Sequence, residues 1–228
     1  MTIGRRPFRP LRLAHRGDWR RAPENTLPAL LAALEVPACD GLEFDVRVST
    51  DGVPILLHDD TLARVQGRPE RADALTADAL GDLGVPTLAE VLAAVSRRAF
   101  LDVELKGDHG RAVVEVLAAG RGAGLTNAVV SSFQPETLER VAGLAPTWPR
   151  WLNTADLTPA TVAAARDLGC RGVAAEWRAI NPGSAARVRA AGLDLAAWTV
   201  RRRPTFDRLA GLGVVAVCVE ATALDGRI

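Results

Sequence analysis

Four short polar clusters interrupt otherwise apolar text in the first half of the chain: His15-Arg16-Gly17, Glu43-Phe44-Asp45, His58-Asp59 and Glu104-Leu105-Lys106. On a β-strand, side chains two positions apart share a face. Glu43 and Asp45 therefore point the same way, and so do Glu104 and Lys106. Converging carboxylates are costly away from water unless positive charge neutralises them. The set Glu43, Asp45 and Glu104 suits one hard divalent cation with oxygen ligands, Mg²⁺ or Ca²⁺. Arg16 and Lys106 would stand beside it, and a metal with Arg and Lys makes a receptor for a phosphate group. His15 and His58 add an acid and a base able to work near neutral pH. Without a metal, the same carboxylates could pair with Arg16 and Lys106 in a buried ionic network. His15 taken alone could equally be a satisfied core histidine.

Some scaffold must bring these clusters together. Short runs rich in Val, Leu and Ala alternate with helical spacing along the chain. Strands are expected at 11–15, 41–48, 100–105, 128–133, 148–152, 172–175, 193–200 and 214–219, with a return segment at 54–58. Helical patterns fall between them, at Leu27, Leu30, Leu31 and Leu34, then at 87–95, 111–119, 135–142, 159–168, 182–191 and 205–212. Thr87 and Glu90 read as a capping box. Eight strand–helix alternations predict an α/β fold, a (β/α)8 barrel. A doubly wound open sheet shares the alternation, but this many units in 228 residues favours closure. In such a barrel the C-terminal strand ends meet at one face, and the polar clusters lie at those ends. The expectation is a single domain over residues 1–228, with an irregular excursion at roughly 59–86 after the second strand. Gly41, Gly124, Gly172, Gly192 and Gly213 precede strands, where helix C-caps belong.

The motifs also carry a resemblance. Ala14-His15-Arg16-Gly17, Pro23-Glu24-Asn25-Thr26, Glu43-Phe44-Asp45-Val46, His58-Asp59-Asp60-Thr61-Leu62, Pro86-Thr87-Leu88, Glu104-Leu105-Lys106 and Trp198-Thr199-Val200 occur in this order. Together they resemble the glycerophosphodiester phosphodiesterase family over nearly the whole chain. The resemblance implies a TIM barrel that hydrolyses a glycerophosphodiester to an alcohol and glycerol 3-phosphate. It implies Glu43, Asp45 and Glu104 as metal ligands and His15 and His58 as the acid–base pair. It also implies Arg16 and Lys106 as phosphate holders, and Trp198 as a wall near the glycerol. Two departures stand at the same face. The family's Trp-Thr-Val is usually followed by Asn, here Arg201, and its last strand usually ends Thr-Asp, here Val219-Glu220. A shortened excursion also suggests a more open mouth. Both features bear on which diester is used, so the same chemistry on a lysophospholipid or another phosphodiester is the near alternative. A barrel that binds phosphorylated ligands without catalysis is the alternative of another class, and a metal-dependent aldolase or isomerase ranks last.

Other residues have plain structural readings. Asn25 or Thr26 can cap the next helix, with Pro28 in its first turn, while Glu24 could face the site. Asp59 is either support for His58 or a turn former. Trp198 could fill core as readily as touch ligand, and Glu176-Trp177-Arg178 could be an idle rim. His109 reads as surface, and Asp108 as the cap of the following helix. A formal net charge of +1 gives no field to recruit nucleic acid or acidic membranes. The substrate is expected to be a small-molecule or lipid-derived phosphodiester. No apolar run is long enough to span a bilayer, so no stable membrane insertion is expected. The three separated cysteines, Cys39, Cys170 and Cys218, match no metal spacing, with Cys218 expected as a small buried hydrophobe, and a cytoplasmic setting is the expectation.

Overall fold

Several strand-forming runs are apolar on both parities, as Ala-Val-Cys-Val over Ala216–Val219 illustrates. Such runs suit strands covered on both faces, the situation of a parallel sheet under helices. Prolines at the first or second helical position and Thr caps start many of the intervening helices, including those after Thr26 and Thr158. The computed structural model describes residues 9–107 and 110–226, so His109 and Asp108 lie outside the described residues.

Chain order runs β1 (Leu11–His15), α1 (Leu27–Leu34), β2 (Gly41–Val48), β3 (Pro54–Leu56), α2 (Ala77–Gly81), α3 (Leu88–Ala94), β4 (Phe100–Leu105), α4 (Gly110–Arg121) and β5 (Ala128–Ser132). It continues α5 (Pro135–Leu144), β6 (Arg150–Thr154), α6 (Pro159–Asp167), β7 (Gly172–Glu176), α7 (Pro182–Ala190), β8 (Asp194–Val200), α8 (Arg203–Gly211), β9 (Ala216–Val219) and α9 (Ala221–Asp225). Among the described residues nine strands form one sheet. Only β3 is antiparallel, to β2, which leaves eight parallel strands. β1 pairs with β9 on one side and β2 on the other, closing the TIM barrel expected from the alternation. One parity of each strand faces the lumen, where Leu13, Val129, Trp151, Ala174, Ala196, Ala216 and Cys218 pack together. The other parity packs under the helix ring in the main core.

The expected strands and helices hold with local corrections. The fifth barrel strand begins at Arg150 rather than 148, because Pro149 removes a ladder donor just before it. The last begins at Ala216 rather than 214. The short α9 over Ala221–Asp225 was not expected. Gly192 and Gly213 do follow helices at positive φ, 75° and 80°. Gly41 and Gly172 instead begin strands, and Gly122, not Gly124, takes the positive φ after α4. A Cβ on Gly41 would sit 2.0 Å from the Phe100 carbonyl oxygen, and one on Gly172 would sit 2.4 Å from that of Asp194. These two glycines serve close strand approach. The excursion after β3 carries a 3₁₀ turn and α2, and it packs a separate cluster of Ile55, Leu57, Leu62, Ala72, Ala77, Leu80 and Val85. No helix among the described residues is long and apolar enough to cross a membrane.

Candidate active site

The register of the barrel sets the site. His15 at the end of β1 lies opposite Glu43 on β2, and Asp45 lies opposite Glu104 on β4. All four face the lumen at the C-terminal end. Arg16 follows β1 at positive φ, 60°. Its amide donates to the Glu43 carbonyl at 2.8 Å and its carbonyl accepts from the Asn25 amide at 3.0 Å. This uncommon backbone angle is thus held from both sides while the guanidinium turns inward. His58 is placed from β2 as well: Arg47 donates to its carbonyl through Nε (3.1 Å) and Nη2 (2.8 Å). A cavity of about 160 Å³ is lined by His15, Arg16, Glu43, His58, Asp102, Glu104, Lys106, Phe133, Asn153, Trp198, Thr199 and Cys218. A larger cavity, about 660 Å³ and mostly apolar, opens at the opposite end of the barrel and touches none of these groups.

Glu43, Asp45 and Glu104 are buried, and one oxygen from each lies within 4.8 Å of the others. Burial and the nearby Asp45 and Glu104 charges push Glu43 well above the usual carboxylate range. Asp45 loses as much solvation, yet Arg16 and Lys106 outweigh that and hold it low. Arg16 Nε stands 3.0 Å from Asp45 Oδ2, and Lys106 Nζ 3.1 Å from Oδ1. Lys106 also pairs with Glu104, whose carboxyl is nonetheless raised by burial and by Asp45. Two cations thus serve three carboxylates. Glu43 Oε2 remains buried without a hydrogen bond, with His15 Nε2 3.8 Å away. An unbonded carboxylate oxygen in an acid-rich cluster is the chemistry a divalent cation fits.

The two histidines are built alike. His15 Nδ1 meets Glu220 Oε1 at 2.6 Å, and His58 Nδ1 meets Asp59 Oδ1 at 2.6 Å. A carboxylate on Nδ1 favours the proton there and leaves Nε2 available to the cavity. Arg201 Nε donates to Glu220 at 2.7 Å. Although burial opposes it, bonding to His15 and Arg201 holds the Glu220 carboxyl at about 2. Burial lowers the His58 pKa below its usual value, against the pull of Asp45 and Asp59. Arg64, from the excursion, bridges Asp59 (2.6 Å) and Glu24 (2.7 and 2.8 Å).

Every residue expected at the site therefore gathers at one cavity or, for Asp45, directly behind its wall. The motif around Asn25 divides its work. Thr26 caps α1, Asn25 Nδ2 donates to Asp45 Oδ2 at 2.9 Å, and Glu24 accepts from Arg16 at 2.8 Å. Trp198 is both wall and packing: its Nε1 donates to the Ala174 carbonyl at 2.8 Å and its ring meets Phe133 edge-on at 5.4 Å. Sequence reasoning passed over Asp102, Phe133, Asn153 and Arg64. Asp102 sits on the same strand parity as Glu104 and Lys106, which could have revealed it. It is buried below the cluster, accepts from Ser131 Oγ at 2.6 Å, and burial raises its carboxyl to about 7.

A family model described as the glycerophosphoryl diester phosphodiesterase family matches residues 15–224. The chain belongs to this family. The match begins at His15, the last residue of β1, and ends in α9, so it spans every strand from β2 to β9. A glycerophosphodiester phosphodiesterase of Bacillus subtilis is 27% identical over 249 aligned positions, covering 92% of this chain and 83% of that protein. Mouse glycerophosphodiester phosphodiesterase 1 is 31% identical over 147 positions, 57% of this chain, and the chain matches only 44% of that protein's length. A phosphodiesterase structure from Oleispira antarctica, in complex with the product sn-glycerol-3-phosphate, superposes with a TM-score of 0.80 at 27% identity, covering 93% of each chain. Members of this family are phosphoric diester hydrolases.

Proposed function

We propose that the protein hydrolyses a glycerophosphodiester to an alcohol and glycerol 3-phosphate, with His15 and His58 as the acid–base pair. The observation that carries this is the matched construction of the two histidines on either side of one acid-lined cavity, each with a carboxylate on Nδ1. Arg16 and Lys106 reach the same cavity and offer donors to non-bridging phosphate oxygens. Trp198 and Phe133 give the glycerol an apolar wall. One histidine takes a proton from the nucleophile through its Nε2; the nucleophile is a water, or the adjacent glycerol hydroxyl, in which case water then opens the resulting cyclic phosphate to glycerol 3-phosphate. The other gives a proton to the departing alcohol oxygen. Asp59 and Glu220 hold the imidazoles in place and stabilise each imidazolium as it forms.

Glu43, Asp45 and Glu104 would hold one divalent cation, Mg²⁺ or Ca²⁺. When bound, that ion supplies charge stabilisation of the phosphoryl oxygens. The family's product complex in Oleispira antarctica supports the substrate class. The test is release of glycerol 3-phosphate from a panel of glycerophosphodiesters and lysophospholipids with several divalent metals. His15→Ala and His58→Ala should each lower turnover about 10²–10⁴-fold. Near-normal rates in both variants would sink the scheme.

A further inference from the structure

We infer that an arginine-walled cavity beside the active site selects diesters whose alcohol arm carries a second anionic group, a phosphate or a carboxylate. This rests on the proposed glycerophosphodiester chemistry and names the substrate class within it. The cavity measures about 490 Å³ and is lined by Trp177, Arg178, Thr199, Arg201, Arg202 and Thr205. Thr199 lines the active-site cavity too, so the two spaces adjoin along one residue. Thr199 Oγ1 stands 3.5 Å from His15 Nε2, which puts the junction next to an acid–base group.

The active-site cavity, at about 160 Å³, is well below the roughly 300–1,000 Å³ of ordinary ligand sites. It takes the phosphate and its immediate surroundings, and a longer second ester arm must leave through a neighbour. Among the described residues, two of the neighbouring cavities share wall residues with it. The one on the β4–β5 side holds Arg47 with Asp60, paired at 2.6 Å, and Glu104 with Lys106. Its charges are balanced in place. The arginine cavity has three guanidinium groups and no carboxylate in its wall. Glu176 and Glu220 each engage one of them from outside that wall, Arg178 at 2.5 Å and Arg201 at 2.7 Å. Arg202 has no ion pair among the described residues. The Arg201 bond to Glu220 uses Nε and leaves the two Nη groups for a ligand. Trp177 gives the cavity a firm side, since Arg178 stacks on its ring at 4.5 Å and Arg208 binds its carbonyl at 3.2 Å.

Glycerol itself is uncharged, so any additional anion in such a substrate lies on the alcohol arm. A planar guanidinium offers paired N–H donors to phosphate or carboxylate oxygens. The side chains of Arg178 and Arg201 are 69% and 73% exposed, so the attraction is screened by salt and its effect is moderate.

The test compares glycerophosphoglycerol, its terminal phosphomonoester and glycerophosphocholine on the metal-loaded protein. The anionic arm should raise kcat/KM about 10–10²-fold over the neutral one, through KM. The advantage should vanish at about 1 M salt, where screening acts within roughly 3 Å. Arg178→Ala with Arg202→Ala should remove the advantage and leave glycerophosphoglycerol turnover within about twofold; Arg201 is left alone because it also braces Glu220. Equal kcat/KM for the three diesters, preference for the cationic arm, or an advantage that survives in the double variant would overturn the inference. Calorimetric binding of the phosphomonoester to wild type and double variant separates the two readings. With no diester turned over, the glycerophosphodiesterase reading fails. Tight binding lost in the double variant then still supports the arginine site, and unchanged or absent binding overturns it.

Discussion

His15 and Glu220 sit at the two ends of one short hydrogen bond, 2.6 Å, and Arg201 grips the far oxygen of the same carboxylate. The two sequence departures seen around the last strands are therefore one device: they place and brace the partner of His15, one of the two histidines proposed for acid–base work. Glu220→Gln keeps the shape and removes the charge. Turnover should fall about 10²–10⁴-fold, the range for losing a histidine's carboxylate or the acid–base function itself, and Glu220→Asp should restore part of it. The same group has a stability signature. Its folded-state pKa of about 2 lies below the ordinary 4.5, so its contribution is present above pH 4.5 and lost as pH falls toward 2. Urea unfolding should show the gap between wild type and Glu220→Gln narrowing by about 1–2 kcal/mol between about pH 5 and pH 3. A gap independent of pH would mean the ion pair is not formed. At this scale the sequence was legible wherever residues two apart on a strand announced a face. Asp102 meets that criterion too, but it lies one pleat below the polar strand end, among apolar neighbours Leu101 and Val103. Arg64 was not legible at all, since its bonds to Asp59 and Glu24 join segments far apart in the chain.

At the scale of elements, the carboxylates depend on how closely β2 and β4 run together. The paired register from Gly41↔Phe100 to Asp45↔Glu104 carries all three carboxylates. Gly41 starts that ladder with its missing Cβ 2.0 Å from the Phe100 carbonyl oxygen. Gly41→Ala must push the strands apart, and overpacking of this kind costs about 1–3 kcal/mol. The expected result is a loss of about that size in chemical unfolding, together with a lower turnover as Asp45 and Glu104 shift. A fully stable, fully active variant would show that the ladder relaxes without moving the site. Helix and strand existence was readable from periodicity and caps, as the Thr87–Glu90 capping box shows. Boundaries were less so: Trp148 has the composition of a strand residue, but its Nε1 instead donates to the Ala123 carbonyl at 2.7 Å, anchoring the turn before Pro149. The role of Gly41 and Gly172 was hidden because close approach of backbones is a property of the closed sheet, absent from any local pattern.

For the whole molecule, the balance of buried charge sets the largest open response. Glu43, Asp45 and Glu104 gather in the lumen with Arg16 and Lys106, so a bound divalent ion should stabilise the entire barrel. At about 100 times its Kd a ligand of the native state adds roughly 2.7 kcal/mol, which for a domain of this size raises Tm by roughly 5–10 °C. Scanning calorimetry with Mg²⁺ or Ca²⁺, with a chelator, and with Glu43→Gln should show the rise, its reversal and its absence. A melting curve indifferent to all three would leave the carboxylates satisfied by Arg16 and Lys106 alone. The barrel's closure through β1 and β9 also has a consequence in time. His15 and its partner Glu220 are 205 residues apart along the chain, whereas Glu43, Asp45 and Glu104 are complete by mid-chain. A polypeptide leaving the ribosome can therefore assemble the acidic half of the centre early, but it acquires an oriented His15 only after the last barrel strand has been made and docked. Closure of the site is thus tied to the making of β9, and a chain stalled before it is an acid-rich, unclosed sheet in which His15 lacks its Glu220 partner.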